Sequence, residues 1–230
     1  MRHLTQEQIQ LALEKGRTIR VVTHAMLDDT ERAIEGILSD ILEHYGRMKL
    51  REVLYTALKE LAVNAVKANM KRVVFENHGL DVHDPEDVTR GHEFFKERIH
   101  AGDMEGFARE SRKLGYAVHV DFMLFKDAMM VEIRNNSLIT LEENRRLRDK
   151  LAQSMKYEDV AQFYMEHADD TEGAGLGMTM ITVMLRQENI DPHCFTVFDD
   201  GQHTVARLEI PLTDDYVPRR LRREAARIED

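Results

Sequence analysis

Three polar residues of complementary chemistry, Glu60, Asn64 and Lys67, lie close together on a stretch whose apolar spacing predicts a helix over 50–70. At about 100° per residue they project within a wedge of roughly 60°. The apolar stripe of that helix, Leu50, Leu54, Leu58, Leu61 and Ala65, sits about a third of a turn away. A carboxylate, an amide and an ammonium therefore project together beside the buried face. The carboxylate of Glu60 is suited to orient water or take a proton. The Asn64 carbonyl oxygen is a hard ligand for Mg²⁺, and Lys67 suits a phosphate. The competing reading is a solvated polar face with a charge pair two turns apart.

A second chemical feature is the run Gly173-Ala174-Gly175-Leu176-Gly177, which leads into an apolar helix expected over 178–185. Small residues let backbone N–H groups approach a phosphate, and a helix N-terminus adds partial positive charge. A flexible hinge is the alternative. No Gly-Lys-Ser/Thr follows, so this is not a Walker loop, and a charged helix-like stretch rather than a strand precedes it, which argues against a dinucleotide fingerprint.

The elements that must position these groups follow from pattern. Thr5 with Gln8 reads as a capping box for a helix over 6–14, and β-branched residues mark a strand over 18–23. Asp28-Asp29-Thr30 supplies an N-cap and an acidic first turn for a helix that carries Ile34, Ile37, Leu38, Ile41 and Leu42 and stops at Gly46. Residues 76–116 are polar and punctuated by glycine, with helical character over 93–99 and 104–114 and little apolar surface of their own. Strands are expected over 117–125 and 129–134, a charged helix over 141–165, and a closing hairpin over 194–198 and 204–212 around Asp199-Asp200-Gly201. Helices and an antiparallel-rich sheet in separate runs predict an α+β, two-layer α/β sandwich with a mixed, mostly antiparallel sheet.

Composition narrows the function classes. The 230 residues carry 32 Lys+Arg against 42 Asp+Glu, a net charge of -10, which disfavours a general nucleic-acid binder. No run reaches the ~18–20 apolar residues of a membrane span, and the N-terminus has no apolar stretch of the signal-peptide kind. One cysteine, Cys194, fits a reducing cytoplasm. His78, His83, His92 and His100 are irregularly spaced and read as solvated surface rather than a metal site. The Arg219–Arg223 cluster reads as part of a solvated charged tail over 218–230.

Taken jointly, these motifs resemble a known family. The segment from Glu60 through Asn64 to Lys67 resembles the N-box of the GHKL ATPases, the superfamily of the gyrase B subunit, heat-shock chaperone ATPases, sensor histidine kinases and MutL. The Gly173–Gly177 loop looks like their second glycine box, with Leu176 and Met178 placed as in its Gly-Leu-Gly-Leu run. The 199–212 segment resembles the closing hairpin of histidine kinases, with Thr204 at the Gly-Thr position, and Phe163 stands at the aromatic position of their lid. The first glycine box departs: where the family has Asp-x-Gly-x-Gly, Asn135-Asn136-Ser137-Leu138-Ile139 stands here. Asn135 takes the place of the Asp that accepts from the adenine amino group, and can accept through its carbonyl oxygen. Ser137 and Ile139 replace both glycines.

The resemblance implies a Bergerat-type domain over 1–217, with 76–116 as an inserted partner-contact or dimer-contact element outside the ATPase core. It implies ATP and Mg²⁺ as cofactors. Asn64 would be on the metal, and Lys67, Asn135, Gly173, Gly175, Leu176, Gly177 and Thr204 around the nucleotide, with Glu60 as catalytic base. The activity expected is that of a signalling protein kinase or ATPase acting on a separate protein partner; the alternative is a non-catalytic, nucleotide-gated binding module. His24 is not expected to be a phospho-acceptor, because about seventeen residues precede the first strand, too few for two long dimerising helices.

Overall fold

The computed structural model describes residues 4–157, 165 and 176–226. Thr5 and Gln8 form the expected reciprocal capping box at the start of α1 (Gln6–Lys15). After β1 (Ile19–Thr23), α2 (Asp28–His44) starts on Leu27, which makes no side-chain cap. The expected cap residues Asp28 and Asp29 lie instead inside the first turn, where their charge still complements the helix dipole.

The central element is α3 (Arg51–His78), preceded by a short 3₁₀ turn (Met48–Leu50) and ended by Gly79 at φ 62°. It runs eight residues beyond the predicted end at 70. Val73, Val74 and Phe75 continue its buried surface, so packing rather than local spacing sets its length. The expected stripe from Leu50 to Ala65 is buried, and further buried residues such as Ala57, Val66, Met70 and Val74 carry the buried surface of α3 round to other sides over its full length.

The segment after Gly79 folds as α4 (Pro85–His100), capped by Asp84 with Pro85 in its first turn, and α5 (Met104–Leu114), capped by Asp103. Both helices pack on α3. The expectation that this segment has little apolar surface and lies apart from the core is corrected here: Phe107 is fully buried in the main core, with Phe94, Phe95, Ile99 and Met104 packed against it. The residues that do this are few and widely spaced, so their pattern is faint in the sequence.

Strands β2 (Val118–Leu124) and β3 (Ala128–Asn135) form the expected hairpin, followed by α6 (Leu141–Ser154) with a Thr140–Glu143 capping box. Next come α7 (Leu176–Gln187), a 3₁₀ turn (Pro192–Cys194), β4 (Phe195–Asp199), β5 (Thr204–Pro211) and α8 (Arg219–Ala226). Among the described residues the strands lie in the order β1-β2-β3-β5-β4, and each neighbouring pair is antiparallel.

The molecule is α+β, with a helical layer on one face of the sheet. Val118, Val120, Phe122, Leu124, Met129, Val131, Ile133, Leu208 and Ile210 alternate onto that face and join α2, α3 and α7 in one core. On the opposite face, Arg20, Asp121, Glu132 and Arg207 stand in one cross-strand row. Arg20 pairs with Asp121 at 2.5 Å and Arg207 with Glu132 at 2.7 Å, and Arg134 reaches both carboxylates. The C-terminal basic cluster is not simply a solvated tail. Arg219 lies over Phe125, Arg222 over Tyr216, and the Arg219 N–H donates to Glu209 at 3.0 Å. Among the described residues no helix is long and apolar enough to cross a membrane.

Candidate functional site

Asn64 Nδ2 donates to Glu60 Oε1 at 3.0 Å across one turn of α3. Because the amide nitrogen is engaged, Asn64 presents its carbonyl oxygen as the free end. Both side chains are half-buried, at the edge of the surface made by Leu58, Leu61, Ala62, Ala65 and Val66. Lys67, one turn further, is exposed and makes no hydrogen bond or ion pair with any described residue.

The first turn of α7 closes on this group. Gly177 lies so near Glu60 that a Cβ built on it would stand 1.9 Å from Oε1 and 2.5 Å from Cγ. The helix expected to begin at Met178 already includes Leu176 and Gly177, which puts the Gly177 N–H among the first-turn donors that have no intrahelical acceptor. Two segments more than a hundred residues apart in the chain therefore meet at one carboxylate. Gly173, Gly175 and Phe163 lie outside the described residues, as does the side chain of Leu176. Along α7, Thr182 Oγ1 donates to Ser154 Oγ at 2.8 Å, and Arg186 donates to the carbonyls of Tyr157 and Met155, which ties α7 to the end of α6.

A second polar group occupies the end of β3. Asn135 pairs across the sheet with Thr204, and both converge on Ser137. Asn135 Nδ2 donates to Ser137 Oγ at 2.6 Å and to the Ser137 carbonyl at 3.1 Å, while Thr204 Oγ1 donates to the same carbonyl at 2.9 Å. On its other side Asn135 approaches Asn69 Oδ1 at 3.5 Å, and Asn69 Nδ2 donates to the Ala117 carbonyl at 3.0 Å. Asn69 is thus the tie between α3 and the sheet end. It lies five residues, or about 7.5 Å of helix rise, beyond Asn64, so α3 serves both polar groups.

Sequence reasoning passed over Asn69. The signal was available: it is a polar residue on the buried face, between Ala65, Val66 and Val73, and a buried amide must find partners. Arg72 was also missed. It donates to the Leu138 carbonyl at 3.0 Å and pairs with Glu143 at 3.2 Å, so it holds the chain between β3 and α6 against α3. Burial alone would raise the Glu143 carboxyl. The Thr140 backbone N–H, the Arg72 charge and the Thr140 hydroxyl outweigh it and hold Glu143 below the usual carboxylate range. Beside it, burial lowers the Lys71 ammonium from its ordinary value, against the pull of Glu143. Burial and the charge of Lys71 lower His92 as well.

Among the described residues no group of three or more His, Cys, Asp or Glu side chains could hold a metal ion. His78 instead stacks on Phe94 at 4.2 Å, and His24 Nδ1 lies 2.7 Å from the Tyr116 carbonyl. Two surface depressions, of about 460 Å³ beside α1 and His44 and about 170 Å³ around Asp28, Glu35 and Tyr55, touch none of Glu60, Asn64, Lys67, Asn135, Gly177 and Thr204.

No protein-family model matches the chain, and no solved structure matches it. An uncharacterized protein of Treponema pallidum (strain Nichols) is 28% identical over 205 residues, which cover 89% of this chain and 40% of that protein. The chain therefore spans about two fifths of the length of this relative.

Proposed function

We propose that this chain is a Mg-ATP-binding domain of the histidine-kinase-like, Bergerat type, acting as a protein kinase or ATPase on a separate protein partner. The observation that carries the reading is the contact between Gly177 and Glu60. The glycine-rich run and the N-box-like helix are distant in sequence, and a nucleotide site of this type requires them side by side.

The residues present fit the ligand chemically. Asn64, with its nitrogen held by Glu60, offers a carbonyl oxygen to Mg²⁺. Lys67 is exposed and free of ion pairs among the described residues, and with the first-turn N–H groups of α7 it would hold phosphate oxygens. Asn135 offers an acceptor to the exocyclic amino group of adenine. Bound Mg²⁺ would neutralise charge on the phosphates. In such a site Glu60 orients the attacking hydroxyl or water and takes its proton, and Asn64 fixes the direction of the carboxylate through the 3.0 Å hydrogen bond.

The alternative, a non-catalytic nucleotide-gated module, draws on the engagement of Glu60 by both Asn64 and Gly177, which leaves its Oε1 little room for a nucleophile. Titration calorimetry with ATP and Mg²⁺ tests the common part of the two readings. Saturable, Mg²⁺-dependent binding weakened about tenfold or more by Asn64→Ala is expected. Absence of heat and of any thermal shift at millimolar ATP rejects both readings.

A further inference from the structure

α4 and α6 stand on either side of one stretch of α3, and cations from all three helices meet there. Lys71 of α3 lies 5.7 Å above the ring of Phe95 on α4. On the other side, Arg72 ties α3 to α6 through its 3.2 Å pair with Glu143. At about 100° per residue, His92, Phe95 and Lys96 share the face of α4 that meets Lys71, while the exposed Glu93 and Glu97 turn away from it. Arg146 stands one turn beyond Glu143 on the same side of α6. The charges felt at His92 show the convergence. After burial itself, Lys71, Lys96 and Arg146 lower it, and Glu143 raises it.

This cleft carries more positive charge than it uses. Glu143 is already engaged, by Arg72 and by the Thr140 N–H at 2.9 Å. Glu142 is paired with Arg146. Lys71 and Lys96 make no hydrogen bond or ion pair with any described residue. Lys71 is also half-buried; burial lowers it most, and Arg72, Lys67 and Arg146 add to that against the pull of Glu143. An ammonium so placed gives up solvation for no bond, and a methionine would fill the same space without that cost. The chain as a whole has a net charge of -10, so the cleft is a local reversal of sign.

We propose that the cleft between α4 and α6 is a docking site for an acidic segment of a protein partner, with Lys71 as its central contact and Lys96 and Arg146 at its rims. The inference rests on the reading of this chain as one that acts on a separate protein, and adds to it the chemistry of the surface which that protein presents. Two features favour an acidic polypeptide over a small anion. The cations come from three helices and so mark out a path rather than a single point. The path also has apolar surface, in the Phe95 ring under Lys71 and in Leu138, which is 44% exposed and whose carbonyl accepts from Arg72. Apolar side chains next to a glutamate or aspartate can cover that surface; a phosphate ion cannot. A nucleic acid would need a positive field over many phosphates, which this acidic chain does not offer. α4 thus joins the core on one face and presents His92 and Lys96 on another.

Fluorescence anisotropy with a fluorescein-labelled, glutamate-rich peptide tests this, against the same peptide with glutamine in place of glutamate. At low ionic strength the wild type should bind the acidic peptide saturably and the glutamine peptide about tenfold or more weakly, and added salt should narrow the difference. Lys71→Met should weaken binding of the acidic peptide by about 5- to 20-fold, and Lys96→Gln by about 2- to 5-fold. Lys71→Arg keeps the charge and should keep most of the affinity. Lys126→Gln, at the β2–β3 turn, should change nothing. Lys96→Gln alters an exposed position and carries the test if Lys71→Met fails to fold. Proton NMR of His92, assigned with His92→Gln, locates the site. Its pKa should rise when the peptide binds, because an added carboxylate offsets the charges of Lys71, Lys96 and Arg146 that Glu143 leaves in excess. Equal binding of the two peptides, unchanged affinity in both Lys71→Met and Lys96→Gln, or an unmoved His92 at saturating peptide overturns the inference. Full displacement of the peptide by inorganic phosphate at a matching concentration overturns it in favour of a small-anion site. ATP binding without peptide binding rejects the docking site and leaves the nucleotide reading intact; peptide binding without ATP binding does the reverse.

Discussion

Gly177 and Glu60 occupy touching positions, and the overlap that a Cβ at Gly177 would create reaches Cγ of Glu60 as well as its carboxylate, at 2.5 and 1.9 Å. Rotation of the carboxylate alone therefore gives no relief. Gly177→Ala should destabilise the wild-type fold by about 1–3 kcal/mol through overpacking. In a Glu60→Ala background the same change should be neutral or stabilising by up to about 1 kcal/mol, since alanine is the better helix former. Urea unfolding of the four proteins of this cycle measures the coupling. Additivity within about 0.5 kcal/mol would mean that the two residues are not in contact.

Glu60 also carries the chemical prediction. If the site is a kinase or ATPase, Glu60→Gln should bind Mg-ATP almost as the wild type does and lose about 10²–10⁴-fold in turnover. ADP release, measured with and without candidate protein partners, is the assay. Equal turnover by wild type and Glu60→Gln would remove Glu60 from the chemistry and favour the nucleotide-gated module.

Phe107 on α5 is fully buried, under the guanidinium of Arg98 at 4.0 Å and beside Phe95. Phe107→Ala should lower stability by about 3–5 kcal/mol, the usual cost of removing a buried aromatic ring. For the same reason, shortening 76–116 to a tight turn should unfold the domain rather than trim an appendage. Chemical denaturation checks the first outcome and circular dichroism the second; a folded, stable deletion would show that α4 and α5 are dispensable.

Glu143 gives a pH prediction with a definite sign. Burial opposes its ionisation, but the Thr140 N–H and Arg72 overcome it and its pKa in the fold is lowered. A lowered carboxylate pKa stabilises the fold above the unfolded-state value, and that contribution is lost as pH falls through the folded-state value. Glu143→Gln should thus be less stable than wild type at neutral pH, by about 0.5–1 kcal/mol for a partly exposed pair with Arg72. The difference should shrink toward zero as the pH is taken down through and below the ordinary carboxylate range. Thermal melts of both proteins across that range measure it, and a gap that stays constant with pH would rule out the charge as its origin.

Much of the architecture was legible in the residues. Local signals marked the Thr5–Gln8 capping box, the strand at Ile19–Thr23, the β2–β3 hairpin and the Asp199-Asp200-Gly201 turn, because each depends on near neighbours in the chain. The projection of Glu60 and Asn64 together from α3 followed from helical period alone, and their hydrogen bond bears it out. Element ends were less legible. The extension of α3 to His78 depends on what Val73, Val74 and Phe75 find to pack against, and the helix at 219–226 docks on Phe125 and Glu209, residues from other elements.

By itself, then, the sequence determined the α+β class, most of the elements and the one-helix cluster of Glu60, Asn64 and Lys67. These rest on periodicity, capping and turn chemistry, whose range is a few residues. Only the tertiary structure decided that Gly177 lies against Glu60, that Asn69 and Ser137 are the partners of Asn135, and that Phe107 belongs to the core. Each of these joins residues far apart in the chain, or depends on which face of an element is covered. Such contacts form only when the elements pack, and buried polar groups then take whichever partners that packing brings within reach.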